Sequence, residues 1–427
     1  MKIAIAGYGL EGEANYAYFA RDPANEITIV DQKDVPDRPL PEGVPTLLAP
    51  DAFEHLNGFD MVVRTAGLPP RKIKTDGKIW SGTNEFFAQC QAEIIGVTGS
   101  KGKGTTSSLI KSILEAAGRK VWLVGNIGDS SIEALGKIQA TDLVVYELSS
   151  FQLWDIERSP QTAVVLFIEQ EHLDVHTDMA EYVAAKGNIA RFQKSEDLLV
   201  FNGENQYAMQ IAEASFAQKV AYPASETAHV QDDHFYYGEQ KLCSTDVLQL
   251  RGEHNISNAV AAIDAAWRYT QDSEVIAAGL AAFKGLPHRL SFVREVGGVT
   301  YYDDSIATTP GSAIAALRAF DAPKVIILGG SYKGSDFTGL AKEMTQHDVQ
   351  AILIGDEAPV IAKALSAVGF EKFEIIENAT AESFTRKAHD IAQPGSVVLL
   401  SPSAASFGLF KNYADRGDQF IAAVNAL

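Results

Sequence analysis

Two rhythms of apolar and polar residues alternate along this chain. Short apolar, β-branched runs such as Lys2-Ile-Ala-Ile-Ala6, Glu26-Ile-Thr-Ile-Val30 and Met61-Val-Val63 are each followed by polar or glycine-containing loops and then by stretches with helical spacing. Runs that are apolar throughout suit strands covered on both faces, so the pattern predicts parallel sheets with crossover helices. It continues through Ile94-Ile95 and Val97-Thr98, after which Leu109, Ile110, Ile113, Leu114 and Ala117 fall on one face of a helix that Gly118 stops. Further strands are expected at Asp142-Leu-Val-Val-Tyr146, Ala163-Val-Val-Leu-Phe-Ile168, Val299-Thr-Tyr-Tyr302, Val325-Ile-Ile-Leu328, Ala351-Ile-Leu-Ile354 and Val397-Val-Leu-Leu400. The fold class is α/β, and the expected domains are residues 1–92, 93–290 and 291–427, with Gly285-Leu-Pro-His-Arg-Leu290 as a hinge before the last.

The loops after these strands carry the candidate chemistry. Gly7-Tyr-Gly-Leu-Glu-Gly12 follows the first strand and Asp31 ends the second, the G-x-G-x-x-G arrangement with a later acidic residue. That geometry serves any ligand with a diphosphate and a ribose, so by itself it leaves NAD open. The third strand runs into Arg64-Thr-Ala-Gly-Leu-Pro69, a glycine loop at a strand's C-terminal end, where ligands of open α/β sheets bind.

The stretch from Gly96 to Ser108, Gly-Val-Thr-Gly-Ser-Lys-Gly-Lys-Gly-Thr-Thr-Ser-Ser, reads as strand, glycine-rich loop and helix. Backbone N–H groups around Gly99, Ser100 and Gly102 can point at an anion, the helix N-terminus adds partial positive charge, and Lys103 can neutralise phosphate oxygens. The spacing is a compressed G-x-x-G-K. Gly104 stands where Ser or Thr normally offers Mg²⁺ a hydroxyl, so Thr105 is expected to supply it, with Thr106 as the alternative. Glu147 closes a strand beside this loop, where Mg²⁺ needs an oxygen ligand. His172 and His176 sit in the loop after the next strand, and Lys186 lies in a helical run, on its own an ordinary surface lysine. Asn255 and Asn258, before an alanine-rich helix, read as helix caps or as partners for a purine edge, and the pattern favours the cap.

Composition narrows the function classes. A net charge of -19 over 427 residues argues against nucleic acid or an anionic membrane as a partner. Two cysteines, Cys90 and Cys243, make no disulfide framework and match no zinc spacing, which suits a reducing compartment. The chain enters a strand at once and has no apolar run of membrane-spanning length, so a cytoplasmic protein without membrane insertion is expected.

In order, Thr98-Gly-Ser-Lys-Gly-Lys103, Gly125-Asn-Ile-Gly128, Glu147-Leu-Ser-Ser-Phe-Gln-Leu153, Glu171-His-Leu-Asp-x-His176, Tyr182-x-x-Ala-Lys186, His254-Asn-x-x-Asn258 and Leu286-Pro-His-Arg-Leu290 together resemble the Mur ligase family, over essentially the whole chain. The Glu147–Leu153 string and the tail with Ser401-Pro, Ala405-Ser406, Phe410-Lys-Asn-Tyr413 and Arg416-Gly417 look like the members that add D-glutamate to UDP-N-acetylmuramoyl-L-alanine. The resemblance implies a cytoplasmic, monomeric ATP-dependent ligase of peptidoglycan synthesis. It also implies a Rossmann-like N-terminal domain for the sugar nucleotide, a central P-loop ATPase domain with a mainly parallel sheet, and a Rossmann-like C-terminal domain for the incoming amino acid.

Residue by residue, it implies that Gly9, Leu10, Glu11 and Gly12 face the diphosphate, Asp31 and Gly67 the uridine, and Asn126, Ser149, Phe151 and Gln152 the rest of the sugar nucleotide. Gly99, Ser100, Gly102, Lys103, Thr105 and Thr106 would hold the ATP phosphates with Arg289, while Asn255 and Asn258 face adenine and Asp304 the ribose. Two Mg²⁺ ions are implied, one on Thr105 and Glu147, the other on His172 and on Lys186 carried as a carbamate. D-glutamate would meet Thr308, Lys333, Ser406 and Tyr413, and Ile306 stands where many such ligases have a lysine.

Three other readings compete. A folylpolyglutamate synthetase would lack the first ninety or so residues as a nucleotide-sugar domain. An NAD-dependent oxidoreductase built on residues 1–92 would leave Lys103, Glu147, His172 and Lys186 without a purpose. A non-catalytic nucleotide-binding regulator would release no phosphate.

Overall fold

The computed structural model describes residues 1–427 except Ile127, Asp174, Arg251, Tyr332, Lys333, Gly334 and Phe407. They form two compact units, Met1–Lys284 and Gly285–Leu427. The first unit contains two parallel sheets. Strands β1 (Lys2–Ala6), β2 (Glu26–Asp31), β3 (Thr46–Leu48), β4 (Met61–Arg64) and β5 (Lys78–Ser81) pair in the order β3-β2-β1-β4-β5. The order reverses between β1 and β4, so the loops after these two strands flank a crevice at the sheet's C-terminal edge.

The second sheet comprises β6 (Glu93–Thr98), β7 (Val121–Gly125), β8 (Leu143–Glu147), β9 (Thr162–Val165), β10 (Leu198–Asn202) and β11 (Gln218–Tyr222), ordered β11-β10-β9-β6-β8-β7 and parallel throughout. Val97 lies opposite Glu147 and Thr98 opposite Val165, so β6, β8 and β9 end level and deliver their loops to one edge. The helix Lys103–Ala116 presses Leu109, Ile110, Ile113 and Leu114, each 0% exposed, into the core beside the helices Glu253–Ala266 and Ser273–Ala282. Each such side chain contributes roughly 1.5–3 kcal/mol by burial. The apolar face therefore fixes the helix, and the loop before it inherits a settled position.

The first unit also holds an antiparallel meander, β12 (Ala228–Gln231), β13 (His234–Tyr237) and β14 (Gln240–Ser244), that the apolar runs did not predict. Its first turn is Asp232-Asp233, with φ of 48° and 56°, the left-handed pair a two-residue hairpin turn requires.

In the second unit, β15 (Ser291–Val296), β16 (Val299–Asp303), β17 (Lys324–Gly329), β18 (Val349–Ile354), β19 (Phe373–Ile376) and β20 (Val397–Leu400) are ordered β15-β16-β20-β17-β18-β19. Only the β15–β16 pair is antiparallel, turning through Gly297-Gly298. Among the described residues no helix is long and apolar enough to cross a membrane.

Two local expectations are corrected. The strand expected over 163–168 leaves the sheet after Val165, because the Phe167 carbonyl accepts from the Ser100 N–H at 2.9 Å. There the chain follows the phosphate loop instead of a strand. The alanine-rich helix begins at Glu253, with Gly252 (φ 94°) at its N-cap, so Asn255 and Asn258 lie inside its first turns and do not cap it.

Candidate active site

The phosphate loop is built around Gly102, whose φ of 87° is left-handed and where an added Cβ would lie 2.3 Å from Asn258 Oδ1. Only glycine meets both conditions without strain. Lys103 is the first helical residue, and its Nζ donates back to the carbonyls of Gly99 at 3.0 Å and Ser100 at 2.9 Å. Ser100 is pinned in turn. Its Oγ donates to the Glu169 carbonyl at 3.0 Å and lies 2.9 Å from the Tyr182 hydroxyl. The Thr106 hydroxyl donates to Asn258 Oδ1 at 3.4 Å, and Asn258 Nδ2 donates to Asn255 Oδ1 at 3.3 Å. The two asparagines thus bind each other and the loop helix, and Thr105 is the hydroxyl outside that set.

Lys186 is no surface lysine. It is 1% exposed, its Nζ donates to the Gly99 carbonyl at 2.7 Å, and it lies 4.6 Å from the centre of the Tyr182 ring. Burial, and after it the Lys103 ammonium on the same carbonyl, holds the Lys186 amine well below the ordinary lysine range, against the opposing pull of Glu171 and Glu147. The structure therefore brings Lys103, Lys186 and Glu147 within electrostatic reach of one another. Glu147 is buried at the end of β8 and accepts from Asn126 Nδ2 at 3.2 Å.

His172 reaches the same neighbourhood in a left-handed conformation (φ 57°), its ring 4.8 Å from Phe151 and 6.4 Å from Tyr182. His176 is different. It is buried, its Nε2 is 3.0 Å from Ser150 Oγ, it stacks on Phe151, and burial holds its pKa below the usual value.

Among the described residues no group of three His, Cys, Asp or Glu side chains gathers as a metal cage. Mg²⁺ does not need one, because it keeps several waters and is usually held by one or two carboxylates together with substrate phosphates. The buried carboxylate of Glu147, level with the end of the phosphate-loop strand, fits that mode of binding.

A cleft of about 320 Å³ opens at the ends of β1, β2 and β4, lined by Gly7, Gly9, Leu10, Glu11, Asp31, Thr65, Gly67 and Lys72 among others. A Cβ on Gly12 would lie 2.0 Å from the Gly7 carbonyl oxygen, so the glycine permits the helix to start against the strand. Asp31 accepts from the N–H groups of Tyr8 at 2.7 Å and Lys33 at 2.9 Å, tying the glycine loop to β2. Glu11 turns inward to accept from the Ala66 N–H at 2.8 Å, and burial raises its pKa. Anions in this cleft would meet the backbone amides at the start of the helix Leu10–Phe19 in preference to the Glu11 carboxylate.

Ser149 and Gln152 form a capping box on the short helix Ser150–Leu153, and Phe151 packs on both histidines.

In the second unit the loops after β16, β17 and β20 meet. The Ser403 N–H donates to the Ala307 carbonyl at 2.7 Å and the Gly329 N–H to the Pro402 carbonyl at 2.7 Å, bringing the segments of Thr308 and Ser406 together. Ser305 Oγ donates to the Tyr413 carbonyl at 2.7 Å. Asp304 accepts from Ser401 Oγ at 2.7 Å and the Leu290 N–H at 3.1 Å, and burial pushes its pKa up to about 7, with Arg289 acting in the opposite direction. Ile306 is half-buried, its N–H donating to the His288 carbonyl. Lys333 lies outside the described residues.

Sequence reasoning missed the burial of Arg64, whose guanidinium pairs with Asp155 and donates to the Phe151 carbonyl. Its signal was a lone basic residue closing an otherwise apolar strand.

Residues 97–266 match the Mur ligase middle domain, and residues 288–404 match the Mur ligase glutamate ligase domain. The chain is 34% identical to a UDP-N-acetylmuramoylalanine–D-glutamate ligase of Clostridium tetani, over 100% of this chain and 97% of that one. It is 36% identical to the ligase of the same name from Clostridium botulinum, with the same coverage. In fold it is similar to UDP-N-acetylmuramate-alanine ligase from Thermotoga maritima, at a TM-score of 0.59 and 17% identity over 100% of this chain and 99% of that one.

Proposed function

The chain belongs to the Mur ligase family, and from that premise we infer how its residues share the chemistry. It is an ATP-dependent, amide-forming ligase that adds D-glutamate to UDP-N-acetylmuramoyl-L-alanine in peptidoglycan precursor synthesis. The observation that carries the residue assignment is the meeting of Lys103 and buried Lys186 on the Gly99 carbonyl at the edge of the central sheet, with the buried Glu147 carboxylate within electrostatic reach of Lys186. The full-length relatives also cover residues 1–92, the part a folylpolyglutamate synthetase would lack and a dehydrogenase would use alone.

The alanyl carboxylate of the sugar nucleotide attacks the γ-phosphorus of ATP, forming a carboxylate–phosphorus bond as ADP leaves. Two anions must meet, and Lys103 offsets their repulsion, because its ammonium sits on the loop where the phosphates belong. Bound Mg²⁺ would supply further charge neutralisation and Lewis acidity, held by Thr105 and Glu147 at one position and by His172 and Lys186 at a second. A buried ammonium at Lys186 would repel a cation. A buried amine of low basicity instead has the lone pair to form an N–C bond with CO₂, losing a proton and becoming an anionic carbamate whose oxygens suit Mg²⁺. The amine of D-glutamate then attacks the acyl carbon, phosphate leaves, and the amide forms.

In the first sheet, the amides of Gly9, Leu10, Glu11 and Gly12 would face the diphosphate, with Asp31 and Gly67 near the uridine, a reading supported by the cleft that Gly9, Leu10, Glu11, Asp31 and Gly67 line. Asn126, Ser149, Phe151 and Gln152 contact the remainder of this substrate. Asn255 and Asn258 face adenine, Asp304 the ribose and Arg289 the phosphates. Thr308, Lys333, Ser406 and Tyr413 are assigned to D-glutamate. The protein acts as a cytoplasmic monomer.

The test is to incubate it with ATP, Mg²⁺ and UDP-N-acetylmuramoyl-L-alanine, offering D- or L-glutamate separately, and to weigh the product. A product heavier by one glutamyl residue with the D isomer alone is expected. Ligation of L-glutamate alone, or none with either isomer, would overturn the assignment.

A further inference from the structure

Arg64 closes β4 and is 0% exposed, yet the reaction as described gives it no part. Its guanidinium reaches three stretches far apart in sequence. Nε and Nη2 donate to the two carboxylate oxygens of Asp155 at 2.8 and 2.5 Å, a bidentate pair. Nη2 also donates to the Phe151 carbonyl at 3.0 Å, in the short helix that carries Gln152. Nη1 points the other way, to the carbonyls of Thr65 at 3.2 Å, Ala66 at 3.3 Å and Leu68 at 3.3 Å, the loop that contains Gly67.

Asp155 is itself located. Its carbonyl accepts from Asn84 Nδ2 at 2.9 Å, and Asn84 Oδ1 accepts from the Glu157 N–H at 2.9 Å. One buried side chain thus joins the loop lining the cleft of the first sheet to the segment Ser149–Asp155 beside the second.

A packed apolar residue would serve simple stability as well as a buried ion pair often does, whereas a planar fork with donors on both sides fixes distance and direction. On the reading that the sugar nucleotide contacts both segments, we propose that Arg64 is a positioning residue. It sets the separation between the diphosphate-and-uridine loop and the Ser149–Gln152 segment, so that a substrate spanning both finds them already in register. Lysine could not reproduce this, because a single ammonium cannot hold the carboxylate bidentately and reach the loop carbonyls as well.

Asp155→Asn removes the ionic half of the link and leaves Arg64 bonded to its own loop. Arg64→Lys is the second variant, in case one of the two folds poorly. The measurements are calorimetric affinities for UDP and for UDP-N-acetylmuramoyl-L-alanine, and KM for the sugar nucleotide and for ATP, beside wild type. UDP contacts only the first-sheet cleft, so in Asp155→Asn its affinity and the KM for ATP are expected to stay within about twofold, while the full sugar nucleotide weakens on the order of tenfold or more in both affinity and KM. Arg64→Lys, which also gives up the bonds to the carbonyls of the Gly67 loop, is expected to weaken the sugar nucleotide by a clearly larger factor than UDP. Equal weakening of UDP and the sugar nucleotide would make Arg64 merely structural, and no weakening of either would deny the coupling; both overturn the proposal. Failure of the wild-type protein to bind the sugar nucleotide would instead remove the functional reading beneath it.

Discussion

Replacing Lys103 with alanine is expected to lower turnover on the order of a hundredfold or more while the protein stays folded. The loss follows from the position of the charge. The ammonium lies on the carbonyls of Gly99 and Ser100, at the helix N-terminus where phosphate oxygens belong, and it meets the greatest negative charge as the carboxylate approaches the γ-phosphorus. Removing one such preorganised contact typically costs about 3–4 kcal/mol in the transition state. The fold survives because the helix is held by Leu109, Ile110, Ile113 and Leu114, none of which touches the loop chemistry. Steady-state rates with circular dichroism check both halves, and near-normal turnover would remove the phosphate-loop assignment. The variant should also make Lys186 more basic, since Lys103 is the second cause of its depressed pKa.

Lys186→Ala is expected to be nearly inactive and partly rescued by short carboxylates such as acetate, and depleting bicarbonate should slow the wild-type enzyme. Carbamate formation needs an uncharged amine, which burial favours, and it replaces a cation with an anion beside the metal positions. A carboxylate small enough to enter the space left by the side chain restores part of that charge. Mass analysis showing an unmodified lysine in a fully active enzyme, with no rescue of the variant, would leave Lys186 as a phosphate contact or a structural residue.

Much of this arrangement was legible in the chain, and what was hidden has a common cause. The strands that position Lys103 and Glu147 announced themselves because a sheet buried on both faces demands unbroken apolar runs. Strands half open to solvent did not: β12 to β14 and β15 mix apolar with polar residues and contain no long apolar run, and their Asp232-Asp233 and Gly297-Gly298 turns show as hairpin turns only in the folded chain. Side-chain direction was harder still. Glu11 occupies a diphosphate-loop position by spacing but spends its carboxylate on the Ala66 amide. Their spacing suits Asn255 and Asn258 to caps, yet the helix starts at Glu253 behind Gly252, and Asn258 bonds Thr106 of the phosphate-loop helix while Asn255 bonds Asn258. Lys186 looks like any helical lysine until the Gly99 carbonyl closes over it, and Arg64 gains its meaning only from Asp155, ninety-one positions away. Contacts of this kind are made by the folded chain, and local spacing carries no trace of them.

Phosphoryl transfer to the substrate carboxylate is the chemistry to which Lys103, Glu147 and Lys186 are all assigned, and isotope transfer tests it most directly. UDP-N-acetylmuramoyl-L-alanine carrying oxygen-18 in its terminal carboxylate would be turned over with unlabelled ATP, Mg²⁺ and D-glutamate, and the released phosphate analysed by mass. If the carboxylate oxygen attacks the γ-phosphorus and is carried off when the D-glutamate amine displaces phosphate, each phosphate formed contains one labelled oxygen. Unlabelled phosphate formed alongside ligated product would contradict it.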